Sequence, residues 1–266
     1  VGELRAYAAL AGAQARSVFS YRSSFVIELV GNVGATVFDV LTVLVLFRAT
    51  DRIGGFTLPE ALLMAGITSA GFALADFVVG NVDRLKTYVR AGTLDAVLVR
   101  PLAALPQLLL MDLPIRKLVR VVFGFGVLAV AIGLNDPDWT PARVSLIVLA
   151  PLSCAVFMGS IFVISASLAF WWVDSGELGS AFTYGGKDFA SYPITVYGPA
   201  FRGLFAYALG FAFISYQPAL ALLGRADPLG LPSWAGFAAP VAAFAVAAVA
   251  AGVWRTGIRH YRSTGS

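Results

Sequence analysis

Residues 143–172 read RVSLIVLAPLSCAVFMGSIFVISASLAFWW, thirty residues whose single charge, Arg143, stands at the very start. About 20 apolar residues in a helix cover the hydrocarbon core of a bilayer, so this stretch crosses one with length to spare or with a tilt. Within it Ser153, Ser160 and Ser167 recur every seven residues, with Gly159 beside Ser160. Small residues at helical spacing let a neighbouring helix come close, so this line reads as packing rather than chemistry. The closing "AFWW" at 169–172 reads as an aromatic anchor at the cytoplasmic membrane surface, with Trp139 and Trp234 as counterparts outside.

Outward from this stretch, five more runs carry the same signature. The expected spans are 24–47, 58–80, 118–134, 143–172, 203–223 and 234–254. Ahead of them, residues 3–22 are too polar for a signal peptide, and 1–23 read as a helix lying in the membrane interface. Cationic residues set the orientation. The N-terminal segment, the loop between spans two and three with the start of span three, the stretch between spans four and five, and the tail together hold all the Lys and Arg except Arg48, Arg52, Arg143 and Arg225. Basic loops stay inside, so both termini are expected in the cytoplasm.

The composition agrees. Of 266 residues 59% are hydrophobic and 13% charged, with a mean hydropathy of +0.81, where soluble domains run to about 25% charged. The expected class is an all-α membrane protein of six transmembrane helices forming one domain over 1–266: interfacial helix 1–23, bundle 24–254, cytoplasmic loop 81–117. The net charge of +4 is read as orientation in the lipid bilayer, not as nucleic-acid binding. One cysteine, Cys154, excludes an internal disulfide and a paired-cysteine metal site; one histidine, His260, excludes a histidine cluster. No G-x-x-x-x-G-K-[ST] occurs, and "YGGKDF" at 184–189 reads as a turn. An intramembrane enzyme would need clustered His, Glu, Ser or Cys at the membrane face, which this composition does not offer.

The long loop contains "RAGTLDAVLVRPL", Arg90–Leu102. Before it, "NVDRLKTYVR" has a helical period; Gly92 reads as a C-cap and Thr93 as the N-cap of a short helix stopped by Pro101. That helix has an apolar side (Leu94, Val97, Leu98) and charged ends (Asp95, Arg100). Such a piece fits a groove on another protein. It equally suits an interfacial helix with snorkelling arginines.

Span one carries Glu28, Asn32, Asp39 and Thr42 within a narrow arc, and span two adds Ser69 and Asp76. Few spans offer these acids a Lys or Arg. They face a substrate pathway, bond across a dimer seam, or, for Glu28 and Asp76, snorkel to the headgroups. One alternative function is a proton-coupled secondary transporter that uses Asp39 and Asp76.

The run Gly92–Leu102 matches G-x-L-D-x-x-L-x-R-P-L. Two more pieces follow in order: Tyr192-Pro193 with Tyr197 and Arg202 in "SYPITVYGPAFR", and "ISYQPALALLG" with Tyr216, Pro218, Ala219 and Gly224. Together they resemble ABC-2-type transporter permeases, the membrane subunits of bacterial ATP-binding-cassette exporters, in the six-span subgroup without an ATPase of its own. One departure is Gly210, where many relatives carry Pro. The resemblance implies a bacterial inner-membrane protein that pairs with a second permease, identical or similar, and with two separate ATPase subunits. No cofactor is expected on this chain; ATP and Mg belong to the ATPases. It implies that loop 81–117 is the coupling element, with Arg90, Gly92, Thr93, Leu94, Asp95, Arg100 and Pro101 at the contact. The cargo expected is a hydrophobic or cationic amphiphile, drug or lipid-like, passing Glu28, Asn32, Asp39 and Asp76.

Overall fold

The computed structural model describes residues 22–111, 117–172 and 175–261. The interfacial helix expected over 1–23 falls outside the described residues, save for 22 and 23, which begin the first helix. The chain is all-α. Its longer helices are α1 (Arg22–Ala49), α2 (Leu58–Val79), α6 (Leu118–Asn135), α7 (Pro141–Ser167), α8 (Gly176–Ser191) and α11 (Ala239–His260). Between α2 and α6 lie three short helices: α3 (Leu85–Arg90), α4 (Thr93–Leu98) and α5 (Ala104–Leu110). Between α8 and α11 lie α9 (Pro199–Arg202) and α10 (Tyr216–Leu223). Among the described residues four helices are long and apolar enough to cross a membrane: Leu58–Arg90, Leu118–Asn135, Pro141–Phe170 and Ala239–His260. Counting the bent pair Pro199–Ala208 and Phe211–Leu223 as one span makes five. The result is a multi-pass apolar bundle, as a membrane protein requires.

α2 is its centre. Thr57 starts it by donating its backbone N–H to Glu60 Oε2 at 2.7 Å, and Pro59 stands in the first turn, where no backbone donor is needed. Leu63, Met64, Ile67 and Phe72 are buried around it. Its neighbours approach through small residues: a Cβ on Gly66 would lie 2.9 Å from the Leu128 Cα of α6. At one end Asn135 of α6 donates to the Pro59 carbonyl at 2.7 Å, so α6 runs antiparallel to α2. On α7, Ser160 and Ser167 donate to their own helix carbonyls, Val156 and Val163, and both are buried, in keeping with the packing role read for that serine line.

Expectations for two segments are corrected. Residues 184–189 form no turn; they lie inside α8. The stretch after span four does not stay at one end of the bundle either. α8 starts at Gly176, against Lys86. It then passes Phe72, whose ring lies 5.7 Å from that of Tyr184, and accepts a bond from Thr68 at the Ala190 carbonyl, 3.0 Å. Soon after, Thr195 Oγ1 donates to the Gly54 carbonyl, 2.8 Å, at the opposite end. Lys187 and Arg202 therefore leave the group of cations expected on the side of loop 81–117. Glu177, Lys187 and Asp188 lower the hydropathy of α8, which hides a helix from a search for apolar runs.

The second correction concerns 203–223, expected as one span. It bends by 67° at Gly210, whose φ of +88° lies in the left-handed region. Pro218 sits in the first turn of α10, where it costs no hydrogen bond. The two arms form a hairpin. Just past the bend, Phe211 is buried with its ring 5.0 Å from that of Phe157 of mid-α7, while Ser215 Oγ donates to the Ala190 carbonyl at 2.6 Å. Both arms return to the Gly54 end, where Arg225 bonds the Gly55 carbonyl at 2.9 Å.

Candidate functional site

At the end away from Gly54, α2 continues through the 3-10 turn Gly80–Arg84 into α3, and α4 and α5 follow. These short helices make a knob. Gly92 adopts φ +67°, which reverses the chain between α3 and α4; its N–H bonds the Val89 carbonyl at 3.3 Å. Thr93 does not cap α4. It is the first residue of that helix, and its hydroxyl donates back to the Tyr88 carbonyl at 3.3 Å.

Of the apolar side of α4 described from the sequence, Leu94 and Val97 are turned inward and Leu98 is not. Leu94 and Val97 are 1% and 3% exposed, packed in one core with Leu85, Val89 and Leu108. A six-residue helix has too few internal bonds to stand alone, so these two side chains anchor it. What faces out is Ala96, Leu98, Val99, Arg100 and Pro101, with Val99 at 85% exposure. Arg90 is exposed and Asp95 half-buried. Asp95 lies beside Tyr261: burial first, and the Asp95 carboxylate next, raise the Tyr261 phenol above its ordinary pKa.

Gln107, which the sequence did not single out, fastens the end of α4. Its side chain is buried, and Nε2 donates to the carbonyls of Val97 (3.2 Å) and Leu102 (2.9 Å). Asn81 ties the knob to α5 through the Leu109 carbonyl, 3.3 Å. The signal for Gln107 was present: a lone polar residue in the run "ALPQLLLM".

Asp76 is not the unpaired acid the sequence suggested. Its carboxylate is 4% exposed and pairs with Lys117 Nζ at 2.6 Å and Arg120 Nη1 at 3.0 Å. Both cations stand at the start of α6, one from the residue just before it, so the triplet pins α6 to α2 next to the knob. Glu28, Asn32 and Asp39 belong to α1, but their side chains lie outside the described residues. Thr42, from the same stripe, is described. It lines a cavity of about 230 Å³ with Ser69 of α2 and Lys187, Asp188 and Ser191 of α8. Lys187 Nζ lies 5.7 Å from the Phe72 ring centre. From this cavity the exposed face of α8 runs through Asp188, Tyr184, Ser180 and Glu177. An exposed acid alongside an apolar bundle is costly against lipid, so this face suits water or another protein. Spacing of three and four residues among these positions was the legible signal for it.

The opposite end is closed by charges. Arg225, just past α10, pairs with Glu60 at 2.9 Å and stacks over the Phe56 ring at 4.2 Å. Asp227 accepts from Tyr216 (3.1 Å), Gln217 (2.7 Å) and the Leu229 N–H (2.9 Å), which folds the outgoing chain back on α10. Arg143 Nε donates to the Ala221 carbonyl at 3.1 Å.

Among the described residues no three of His, Cys, Asp and Glu gather to hold a metal ion. Comparison with curated proteins and with solved structures gave no match. Comparison with protein families did: residues 33–265, which take in α2, the knob, the polar face of α8 and the hairpin, match the family described as ABC-2 family transporter protein. A multi-pass apolar helical bundle agrees with that match, and the chain belongs to the ABC-2 family of transporter proteins, as a permease domain.

Proposed function

We propose that this permease is the membrane subunit of an ATP-driven exporter and that separate ATPase subunits, which hold the ATP and Mg, act on it through the knob. The supporting observation is the two-sidedness of α4. Leu94 and Val97 root it in the bundle while Val99, at 85% exposure, projects from its end beside Arg100 and Pro101. A side chain that apolar, held out on a rooted helix, is shaped to enter a partner's pocket. A push there passes through Gln107 and the Asp76 triplet into α2 and α6.

In this reading α1, α2, α6, α7, α8 and α11 are six crossings, the hairpin over 199–223 re-enters from the outside, and the knob and both termini face the cytoplasm of a bacterial cell. Arg84, Lys86, Arg100, Lys117, Arg255 and Arg259 mark the knob end, which supports that orientation. A second permease, identical or similar, lies along the exposed face of α8, and the pathway runs between the two. Asp188 and Tyr184 on that face suit a hydrophobic or cationic amphiphile, drug or lipid-like. Asn32 and Asp39 of α1 keep their proposed place on the pathway. Proton coupling through Asp39 and Asp76 gains no support, because two cations already engage Asp76.

Purification of the tagged chain from its native membrane tests this. An ATPase should copurify with it. Val99→Asp should strip the ATPase away at least tenfold while the permease stays inserted and its unfolding midpoint holds. Full ATPase retention by that variant, or no nucleotide hydrolase in the wild-type preparation, overturns the proposal.

A further inference from the structure

On the side of the bundle away from the polar cavity, α2, α7 and α11 part to leave a groove of about 680 Å³. Its walls are apolar: Leu74 and Val78 of α2, Leu152 and Val156 of α7, Ala251 of α11. Small residues, Gly159 and Ala250 among them, hollow it out. The one hydroxyl on its lining, Ser160, is spent on the Val156 carbonyl at 2.7 Å. At its knob end stand Trp254 and Arg255, and the floor is made by Leu105 and Leu109 of α5. Among the described residues no acid pairs with Arg255.

Length and charge identify an occupant. Leu152 to Val163 along α7 measures about 16 Å at 1.5 Å per residue. That is about half the ~30 Å hydrocarbon thickness, the depth of one leaflet. A transmembrane helix would need the full thickness. An acyl chain needs one leaflet, and its headgroup then falls at Arg255, beside an interfacial tryptophan. We infer that this groove holds one chain of a membrane glycerophospholipid with an anionic headgroup, which Arg255 engages. Because α5 closes the groove and carries Gln107, the lipid also braces the helix that fastens the end of α4. The inference requires only that the bundle spans a membrane; it stands whether or not ATPases act on the knob.

Native mass spectrometry of the detergent-purified full chain tests it, with 1-palmitoyl-2-oleoyl phosphatidylglycerol and the matching phosphatidylcholine in equal amounts. Wild type should keep one phosphatidylglycerol per chain, preferred about fivefold, the size of one basic residue's attraction to an anionic surface. Arg255→Gln, a surface change that leaves the groove intact, should erase the preference and leave a chain bound. Ala251→Phe, which fills the groove, should lose the bound lipid although Arg255 remains. An Arg255→Gln protein with wild-type selectivity overturns the inference, as does undiminished binding to a folded Ala251→Phe protein. So does an efficient disulfide between two copies through Val156→Cys, which would show a second subunit covering the groove; Cys154 is buried and does not compete.

Discussion

The two ends of the bundle are held together by different physics. The knob end is rooted: Leu94, Val97 and Leu108 lie in the core, and the Asp76 carboxylate is 4% exposed between two cations. The hairpin end is latched: Arg225 and Glu60, at 30% and 19% exposure, pair across the gap between the hairpin and α2, with water at hand to take over either partner. The buried Asp76 carboxylate, with part-exposed cations on either side, and the apolar anchors resist separation, so the knob is coupled to α2 and α6. A part-exposed ion pair is worth little more than its hydrated halves, so the latch opens at low cost. The proposed cycle, in which ATPases push on the knob and the far end opens, would use this asymmetry.

The largest effect should come from the rooted end. Asp76→Ala leaves Lys117 and Arg120 side by side without their anion. Removal of one partner from a buried ion cluster costs about 3–5 kcal/mol, and we expect about 3 kcal/mol here because the cations keep some contact with solvent. Denaturant unfolding in micelles measures it. A loss under about 1 kcal/mol would mean that α2 and α6 are held by packing alone, and the contrast between the ends would collapse.

Arg225→Ala comes next. It removes the Glu60 pair, the Gly55 bond and the Phe56 stacking together, yet most of what it frees can be hydrated. The expected loss is about 1–2 kcal/mol. The sharper readout is hydrogen exchange: amides over 211–225 should exchange faster than in wild type while those of α2 stay as they were. Equal acceleration in both would show that the hairpin opens only when the bundle unfolds.

What the sequence disclosed follows the same division. Apolar run length located α2, α6, α7 and α11 to within about six residues at each end, because lipid imposes a continuous apolar run. It missed α8, whose Glu177, Lys187 and Asp188 interrupt its apolar character; the last two line a cavity. It joined 203–223 into one span, because hydropathy does not register a left-handed backbone bend at Gly210. Loop motifs found the knob, since Gly92 and Pro101 act through local backbone geometry. They could not tell which side of α4 is buried. Leu94 and Val99 look alike as apolar residues on a short helix, and only the packing of Leu85 and Leu108 decides between them. Asp76 shows the same limit: its partners are 41 and 44 positions away, at a helix start that loop composition does not place.

The smallest change asks whether the aim of the knob matters apart from its stability. Gly92→Ala puts a Cβ on a residue at φ +67°, which costs about 1 kcal/mol if the backbone keeps its course. If instead the turn relaxes, the stability loss shrinks and α4 swings, carrying Val99 with it. Unfolding and ATPase copurification then separate the two cases: the first gives the full stability loss with the ATPase retained, the second a smaller loss with the ATPase released. Gly92→Asn, a residue that tolerates the left-handed region, should restore whichever quantity Ala reduced. If neither variant changes either quantity, the turn at Gly92 does not set the direction of the knob, and the rooted end aims Val99 through Leu94 and Gln107 alone.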